Sequence, residues 1–255
     1  MQSTVVDVER ADGRARLTMS AGAGTVLIPR LLGRTADSVH VALVAGGAML
    51  LGGDRLDVRI SVGAGCRLEL SEIGGTVAYG RGESGRAAQP CQWRVHVKLA
   101  AGATLLWMGR ETVVADGADL TRSLTVDVEA GACALLRETT VLGRTGERGG
   151  RARLVSTIAY DGAPLLVEDT DFSGDDPVPG VVGDSRIVDT VLLVGRRPAE
   201  GAALGAMALE GPGSLVRYLG AELHASTLGD VWDAWRAGLD AAHPDTTDLQ
   251  TRRPA

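Results

Sequence analysis

The sequence lacks most features that mark a metal-binding or nucleic-acid-binding surface. Aromatic residues make up only 3% of its 255 residues, Lys98 is its one lysine, and its formal net charge is −6. An acidic chain argues against a nucleic-acid surface, which is normally basic. The four histidines, His40, His96, His224 and His243, are not paired at the spacing of a zinc site. We therefore expect neither nucleic acid nor a histidine-bound zinc ion.

Cysteines are also few, and apolar runs are short. Cys66, Cys91 and Cys133 are an odd number with no C-x-x-C pair, which predicts reduced thiols and a cytoplasmic protein. The longest uncharged run, residues 41–53, is rich in glycine and shorter than the roughly 20 apolar residues that cross a bilayer. No membrane contact is predicted.

What the chain has instead is glycine, with 35 residues, and a repeated strand pattern. Residues 58–70, 95–107 and 124–136 each contain an alternating strand, a Gly-Ala turn and a second strand. Apolar residues at every second position place one face of each strand inward. The irregular spacing of the copies favours a β-meander folded on itself over a strict solenoid. We predict an all-β fold of layered antiparallel β-sheets.

Local patterns add two hairpins and a helix to this prediction. Asp12-Gly13 and Asp161-Gly162 lie between alternating segments and predict tight hairpin turns. The acidic segment 168–189 contains two prolines and predicts a loop. Large apolar residues at helical spacing over 227–240 predict one or two helices near the C-terminus. We expect one domain over 1–255, with a disordered tail at 241–255.

The chain shows no readable catalytic motif. Residues 80–85 match G-x-G-x-x-G, but no helix pattern follows them, so a flexible loop is favoured over a nucleotide site. A P-loop, a G-x-S-x-G elbow and a recognisable triad are also missing from the sequence. Function must therefore be sought in single residues and in their order.

Three carboxylates stand out. Asp54 follows the glycine pair 52–53, where it either accepts N–H groups of the turn or binds a metal. Glu138 lies within an apolar strand, so if it points inward it must meet water, a cation or a hydrogen-bond donor. Glu147 follows a glycine-flanked turn and either forms a weak salt bridge with Arg144 or Arg148 or joins a site.

Taken in order, several segments resemble the urease accessory protein UreD (UreH) family. The segments that carry the resemblance are Gly52-Gly53-Asp54, Tyr79, residues 105–112, residues 138–144 and Gly146-Glu147. The chain departs from the family pattern at Val44-Ala45, at residues 77–80 and at Met108-Gly109, while the Gly-Asp and Gly-Arg…Gly-Glu positions are intact.

The resemblance implies an all-β scaffold that matures urease and is not an enzyme. It implies binding to the accessory proteins UreF and UreG and to apo-urease, no tightly bound cofactor, and transient passage of nickel. In the family, carboxylates are thought to line an internal metal route, and we assign Asp54, Glu138 and Glu147 to it. Oxygen donors bind divalent ions weakly compared with thiolate or imidazole, which suits a route that the ion must leave.

Two other classes of function stay open at this point. One is a hydrolase or transferase on a β scaffold, with Glu138 and Glu147 as its acid and base. The other is a carbohydrate-binding module, whose usual aromatic platform is hard to build from so few aromatic residues.

Overall fold

Two β-sheets and one α-helix make up the part of the protein that the structure describes. The computed structural model describes residues 2–47, 50–80, 89–199 and 205–241. Its strands are β1 (Gln2–Ala11), β2 (Arg14–Ala21), β3 (Leu27–Arg34), β4 (Ser38–Ala45), β5 (Arg55–Val62), β6 (Arg67–Glu72), β7 (Thr76–Ala78), β8 (Cys91–Leu99), β9 (Thr104–Val114), β10 (Asp119–Val128), β11 (Cys133–Leu142), β12 (Arg151–Tyr160), β13 (Ala163–Ser173), β14 (Ile187–Val194), β15 (Met207–Ala208) and β16 (Gly213–Gly220). A 3-10 turn (Leu223–Ala225) precedes helix α1 (Leu228–Ala241).

The two sheets pack face to face. The seven-stranded sheet has the order β13-β12-β10-β8-β5-β1-β2, and the nine-stranded sheet has the order β15-β16-β14-β11-β9-β6-β4-β3 with β7 beside β9. Their inward faces share one apolar core, in which Val58, Trp93, Leu105 and Leu136 are buried. The predicted all-β class with layered sheets is confirmed.

The predicted antiparallel pairing is wrong for the centre of both sheets. Neighbouring strands are parallel from β1 through β5, β8 and β10 to β12, and from β4 through β6 and β9 to β11. Antiparallel pairs occur only among the outer strands of the described sheets, such as β1 with β2 and β11 with β14. Each sheet is therefore mixed.

The Gly-Ala turns explain this difference. Each repeat copy begins in the seven-stranded sheet and ends in the nine-stranded one, so its turn crosses between the sheets and does not close a hairpin. Gly65, Gly102 and Gly131 have positive φ values of 64°, 69° and 77°, which let the chain turn this sharply. The turns stack through backbone bonds such as Gly65 N–H to Ala101 O at 3.1 Å. The copies therefore stack in parallel, closer to a solenoid than the irregular spacing predicted.

The two predicted hairpins are confirmed. β1 pairs with β2 and β12 pairs with β13, both antiparallel. Their turn residues Asp12 and Asp161 have φ values of 51° and 49°. The predicted loop at 168–189 begins later than expected because β13 continues to Ser173. Backbone pairing with β12 holds this segment in the sheet, and its acidic residues Asp169 and Asp171 pair with arginines of β12 across the strands.

Helix α1 packs on the outer face of the nine-stranded sheet. Its buried residues Leu228, Trp232, Trp235 and Leu239 form a second apolar cluster with strand residues such as Leu135. This confirms the predicted helix and the inward direction of its large apolar side chains. No helix in the described part of the chain is long and apolar enough to cross a membrane.

Some predictions fall outside the described residues. Most of the predicted disordered tail, from residue 242 onward, lies there, as do residues 81–88 of the G-x-G-x-x-G segment.

Candidate functional site

A small cavity lies between the two sheets, and we call it the inter-sheet cavity. Its volume is about 50 Å³. Apolar side chains form much of its wall, and its charged lining residues are Arg122, Glu138, Glu168 and Arg217. Arg122 and Glu168 come from the seven-stranded sheet, and Glu138 and Arg217 come from the nine-stranded sheet. Each sheet thus contributes one arginine and one glutamate to the same cavity in a largely apolar interior.

The first ion pair across the cavity joins Arg122 to Glu138. The Arg122 Nε and Nη2 atoms lie 2.8 and 2.6 Å from the same carboxylate oxygen, Glu138 Oε1. The guanidinium carbon stacks 4.0 Å from the centroid of the Trp93 ring, and Nη1 lies 3.4 Å from Thr112 Oγ1. The Arg122 side chain is 8% exposed and that of Glu138 is 32% exposed. Glu138 therefore points inward, as its strand position allowed, and the cation that it meets is the Arg122 guanidinium.

The second ion pair joins Arg217 to Glu168. Nη1 and Nη2 of Arg217 donate to Oε1 and Oε2 of Glu168 at 2.6 and 2.7 Å, and Nε donates to Thr190 Oγ1 at 3.1 Å. These hydrogen bonds lower the pKa of the Glu168 carboxyl, although partial burial acts in the opposite direction. Each carboxylate oxygen has its own nitrogen here, which is the stronger, two-point arrangement.

A third carboxylate, Glu72, lies within the electrostatic reach of the first pair. Its side chain accepts hydrogen bonds from Trp107 Nε1 at 3.0 Å and from the Arg110 backbone N–H at 2.9 Å. Burial raises the pKa of Glu72, against the smaller lowering effect of the Arg122 charge and of both hydrogen bonds. Arg110 lies at a β-bulge, where Gly109 and Arg110 of β9 face the single residue Glu138 of β11.

Asp54 lies in a turn, as predicted. Its Oδ2 atom accepts the Leu51 N–H at 2.9 Å, and its own N–H donates to Leu51 O at 2.9 Å. Gly53 has a φ of 90°, which the turn requires. The turn-capping alternative describes these contacts, and the carboxylate remains partly exposed.

Glu147 lies in the loop between β11 and β12 and pairs with Arg144, one of its two predicted partners. Its Oε1 accepts Arg144 Nε at 2.8 Å, and its Oε2 accepts the Arg144 N–H at 2.9 Å and the Asp116 N–H at 3.2 Å. The side-chain hydrogen bond from Arg144, followed by the two backbone bonds, lowers the pKa of Glu147 to about 2. Glu147 thus holds its own loop and joins it to the loop after β9.

The three predicted carboxylates each have separate partners. Only Glu138 lines the inter-sheet cavity, while Asp54 and Glu147 belong to connections at the end of the sheets opposite the Gly-Ala turns. Within the described ranges, no group of three or more His, Cys, Asp or Glu side chains is arranged to hold a metal ion. The site is a small interior cavity lined by charged, hydroxyl and apolar side chains.

Comparison with known proteins identifies the family. Residues 2–248 match the family described as UreD urease accessory protein. The chain is 43% identical over 243 residues to Urease accessory protein UreD 1 of Streptomyces griseus, covering 94% of this chain and 93% of the relative. It is 31% identical to Urease accessory protein UreD of Streptomyces coelicolor, covering 91% and 94% of the two chains. The chain belongs to the UreD family. This membership gives it a role in urease maturation.

Sequence reasoning missed four of the UreD-family chain's interior charges: Glu72, Arg122, Glu168 and Arg217. A signal existed for Glu72, because it follows Leu68 and Leu70 at two-residue spacing and so shares their inward face. Arg122 is likewise in phase with the buried Leu120 and Leu124. The argument that placed Glu138 on an inward strand face applies equally to Glu72 and Arg122 and would have found both.

Proposed function

We propose that this UreD-family chain is a scaffold that joins UreF and UreG homologues and apo-urease in the cytoplasm and helps deliver nickel to the urease active site. Family membership over nearly the whole chain supports the maturation role. The observation that carries the nickel step is the inter-sheet cavity, where carboxylates of both sheets lie inside an apolar sandwich. Nickel is the cargo here and not a resident cofactor.

The chemistry of the cavity suits a transient cation. Glu138 and Glu168 supply oxygen ligands, and Thr112 and Thr190 add hydroxyl groups to the same lining. Carboxylate and hydroxyl oxygens hold nickel less tightly than thiolate or imidazole groups do. Conduction also requires that each site release its ion. A passage with such ligands can accept nickel and pass it on.

Asp54 and Glu147 stay in the proposal as carboxylates near an end of the passage. Both lie where strands of the seven-stranded sheet begin, in connections that return from the nine-stranded sheet. Asp54 contacts the turn through Oδ2 and is partly exposed, so a passing cation can reach its carboxylate. Glu147 would have to exchange contacts with Arg144.

The competing enzyme hypothesis has less support. An acid and a base must both reach one substrate, but Glu138 lies in the cavity beside Arg122 and Glu147 lies in a loop beside Arg144. The pKa of Glu147, at about 2, also leaves it a poor proton acceptor near neutral pH. We therefore propose a non-catalytic scaffold.

The test separates assembly from nickel transfer. The variants Asp54→Asn, Glu138→Gln and Glu147→Gln are each co-expressed with the urease genes, and two quantities are measured: co-purification with the UreF homologue and the nickel content of the matured urease. We expect assembly to persist and nickel content to fall, most strongly for Glu138→Gln. Normal nickel loading by all three would contradict the route, and failure of the wild type to bind the UreF homologue would contradict the scaffold.

A further inference from the structure

The carboxylate of Glu138 is already occupied by a cation of the protein itself. Two nitrogens of Arg122 converge on Oε1, at 2.8 and 2.6 Å. A divalent ion that binds this oxygen must displace at least one of these hydrogen bonds. The proposed passage therefore already holds a cation, the Arg122 guanidinium, at this oxygen of Glu138.

Arg122 has other favourable partners besides Glu138. Its guanidinium lies 4.0 Å from the Trp93 ring centroid and 3.4 Å from Thr112 Oγ1. A buried cation on an aromatic face is stabilised by the ring quadrupole. Its charge also reaches Glu72, where burial raises the pKa of the carboxyl and the Arg122 charge opposes that rise. Loss of the Glu138 contact thus leaves the guanidinium stacked and close to a second carboxylate.

We propose that Arg122 is a positioning residue that competes with nickel for Glu138. This inference rests on the proposed function and names how the passage is regulated. As nickel approaches, Arg122 gives up Glu138 Oε1 and remains on Trp93. As nickel leaves, the guanidinium returns to the carboxylate. The competition keeps nickel affinity low at the narrow interior of the route and makes binding reversible.

Arg217 provides a matched comparison within the same cavity. It contacts both oxygens of Glu168 and also Thr190, so its partner carboxylate is held at two points. Arg122 holds Glu138 through one oxygen, Oε1. Displacement by a divalent ion is therefore easier at Glu138 than at Glu168. The competing role is assigned to Arg122 and not to Arg217.

The experiment measures nickel binding by the purified full-length chain, using equilibrium dialysis against nickel chloride. The wild type is compared with Arg122→Gln, Arg122→Lys, Glu138→Gln and the double variant Arg122→Gln/Glu138→Gln. We expect Arg122→Gln to bind nickel at least about tenfold more tightly than the wild type. A tenfold change in the dissociation constant corresponds to about one charge-assisted hydrogen bond that nickel no longer has to displace. Arg122→Lys should stay near the wild type because it keeps the charge. The double variant should lose the gain in nickel affinity expected for Arg122→Gln, because it lacks the Glu138 carboxylate.

Either of two results overturns the inference: a folded Arg122→Gln protein that binds nickel like the wild type, or a gain that persists without Glu138. Arg122→Met removes the guanidinium charge in a second way and carries the same expectation for nickel affinity. Arg217→Gln is the control and should change nickel affinity less than Arg122→Gln. Nickel loading of urease is measured separately, so failure of the delivery role is distinguished from failure of the competition.

Discussion

Two arginine–carboxylate clusters lie on opposite faces of β11, and they differ in how completely each carboxylate is held. On the outer face, Asp189 is 0% exposed and accepts four hydrogen bonds, two from Arg137, one from Thr139 Oγ1 at 2.9 Å and one from Ser226 Oγ at 2.6 Å. On the inner face, Glu138 is 32% exposed and pairs through Oε1 with Arg122.

The difference separates a structural contact from an exchangeable one. Ser226 Oγ also accepts the Leu228 N–H at 3.3 Å, so Asp189 anchors the start of helix α1 to the nine-stranded sheet. A buried carboxylate with four donors is costly to disturb. Glu138 has open space beside it in the inter-sheet cavity. The same residue chemistry therefore fixes the helix on one face and leaves a carboxylate beside the inter-sheet cavity on the other.

The largest expected effect is at Asp189. Asp189→Ala should lower the free energy of unfolding by about 3–5 kcal/mol, because it leaves the Arg137 guanidinium buried without its partner. Chemical denaturation followed by circular dichroism measures this loss. Asp233→Ala, at an exposed helix position, is the control and should change stability by less than about 0.5 kcal/mol. Equal losses in both variants would contradict the anchoring role.

The next effect concerns the Glu72 side of the cavity. Trp107→Phe removes the Nε1 donor to a buried carboxylate and should cost about 2 kcal/mol in unfolding free energy. In the double variant Trp107→Phe/Glu72→Gln the cost should be smaller than the sum of the single costs, since the two residues interact directly. Additive costs would show that the Trp107–Glu72 hydrogen bond contributes little.

A smaller effect is expected at Glu138 itself. Glu138→Gln should cost about 1 kcal/mol or less, because the amide keeps an oxygen that can accept from Arg122, which also keeps its Trp93 and Thr112 contacts. Thermal and urea unfolding of Glu138→Gln and Asp189→Ala, measured side by side, compares the stability lost at the two carboxylates. A loss as large as that of Asp189→Ala would make Glu138 a structural residue and weaken the proposed route.

The sequence allowed the class of fold to be predicted but not the direction of its strands. Alternation in the repeat copies shows which side chains point inward, as in Val58 and Leu68, and both are buried. A Gly-Ala turn between alternating segments has the same pattern whether it closes a hairpin or crosses between sheets. The inward direction of Glu138 was predictable for the same reason, whereas its partner was not, because Arg122 comes from the opposite sheet.

The smallest effect is expected at Glu147, in the loop between β11 and β12. Hydrogen bonds from Arg144 lower its pKa from an ordinary value of 4.5 to about 2, so the native state favours the ionised carboxylate. Stability from this contact is complete above about pH 4.5 and is lost as the pH falls toward 2. Glu147→Gln lacks this titration, so the thermal midpoints of variant and wild type should differ slightly at pH 5 and converge on acidification.

The other acidic groups with lowered pKa values titrate equally in both proteins, so the difference between the two curves isolates Glu147. Added salt should shrink the difference at pH 5, since Arg144 is largely exposed and its charge is screened. Asp54→Asn is the useful comparison, because that carboxylate also holds a turn but does so through the backbone N–H of Leu51. Its difference from the wild type should depend less on salt. A Glu147→Gln curve parallel to the wild type from pH 5 to 2 would mean that the Arg144 contact does not stabilise the folded loop, which would leave Glu147 free to meet a passing cation.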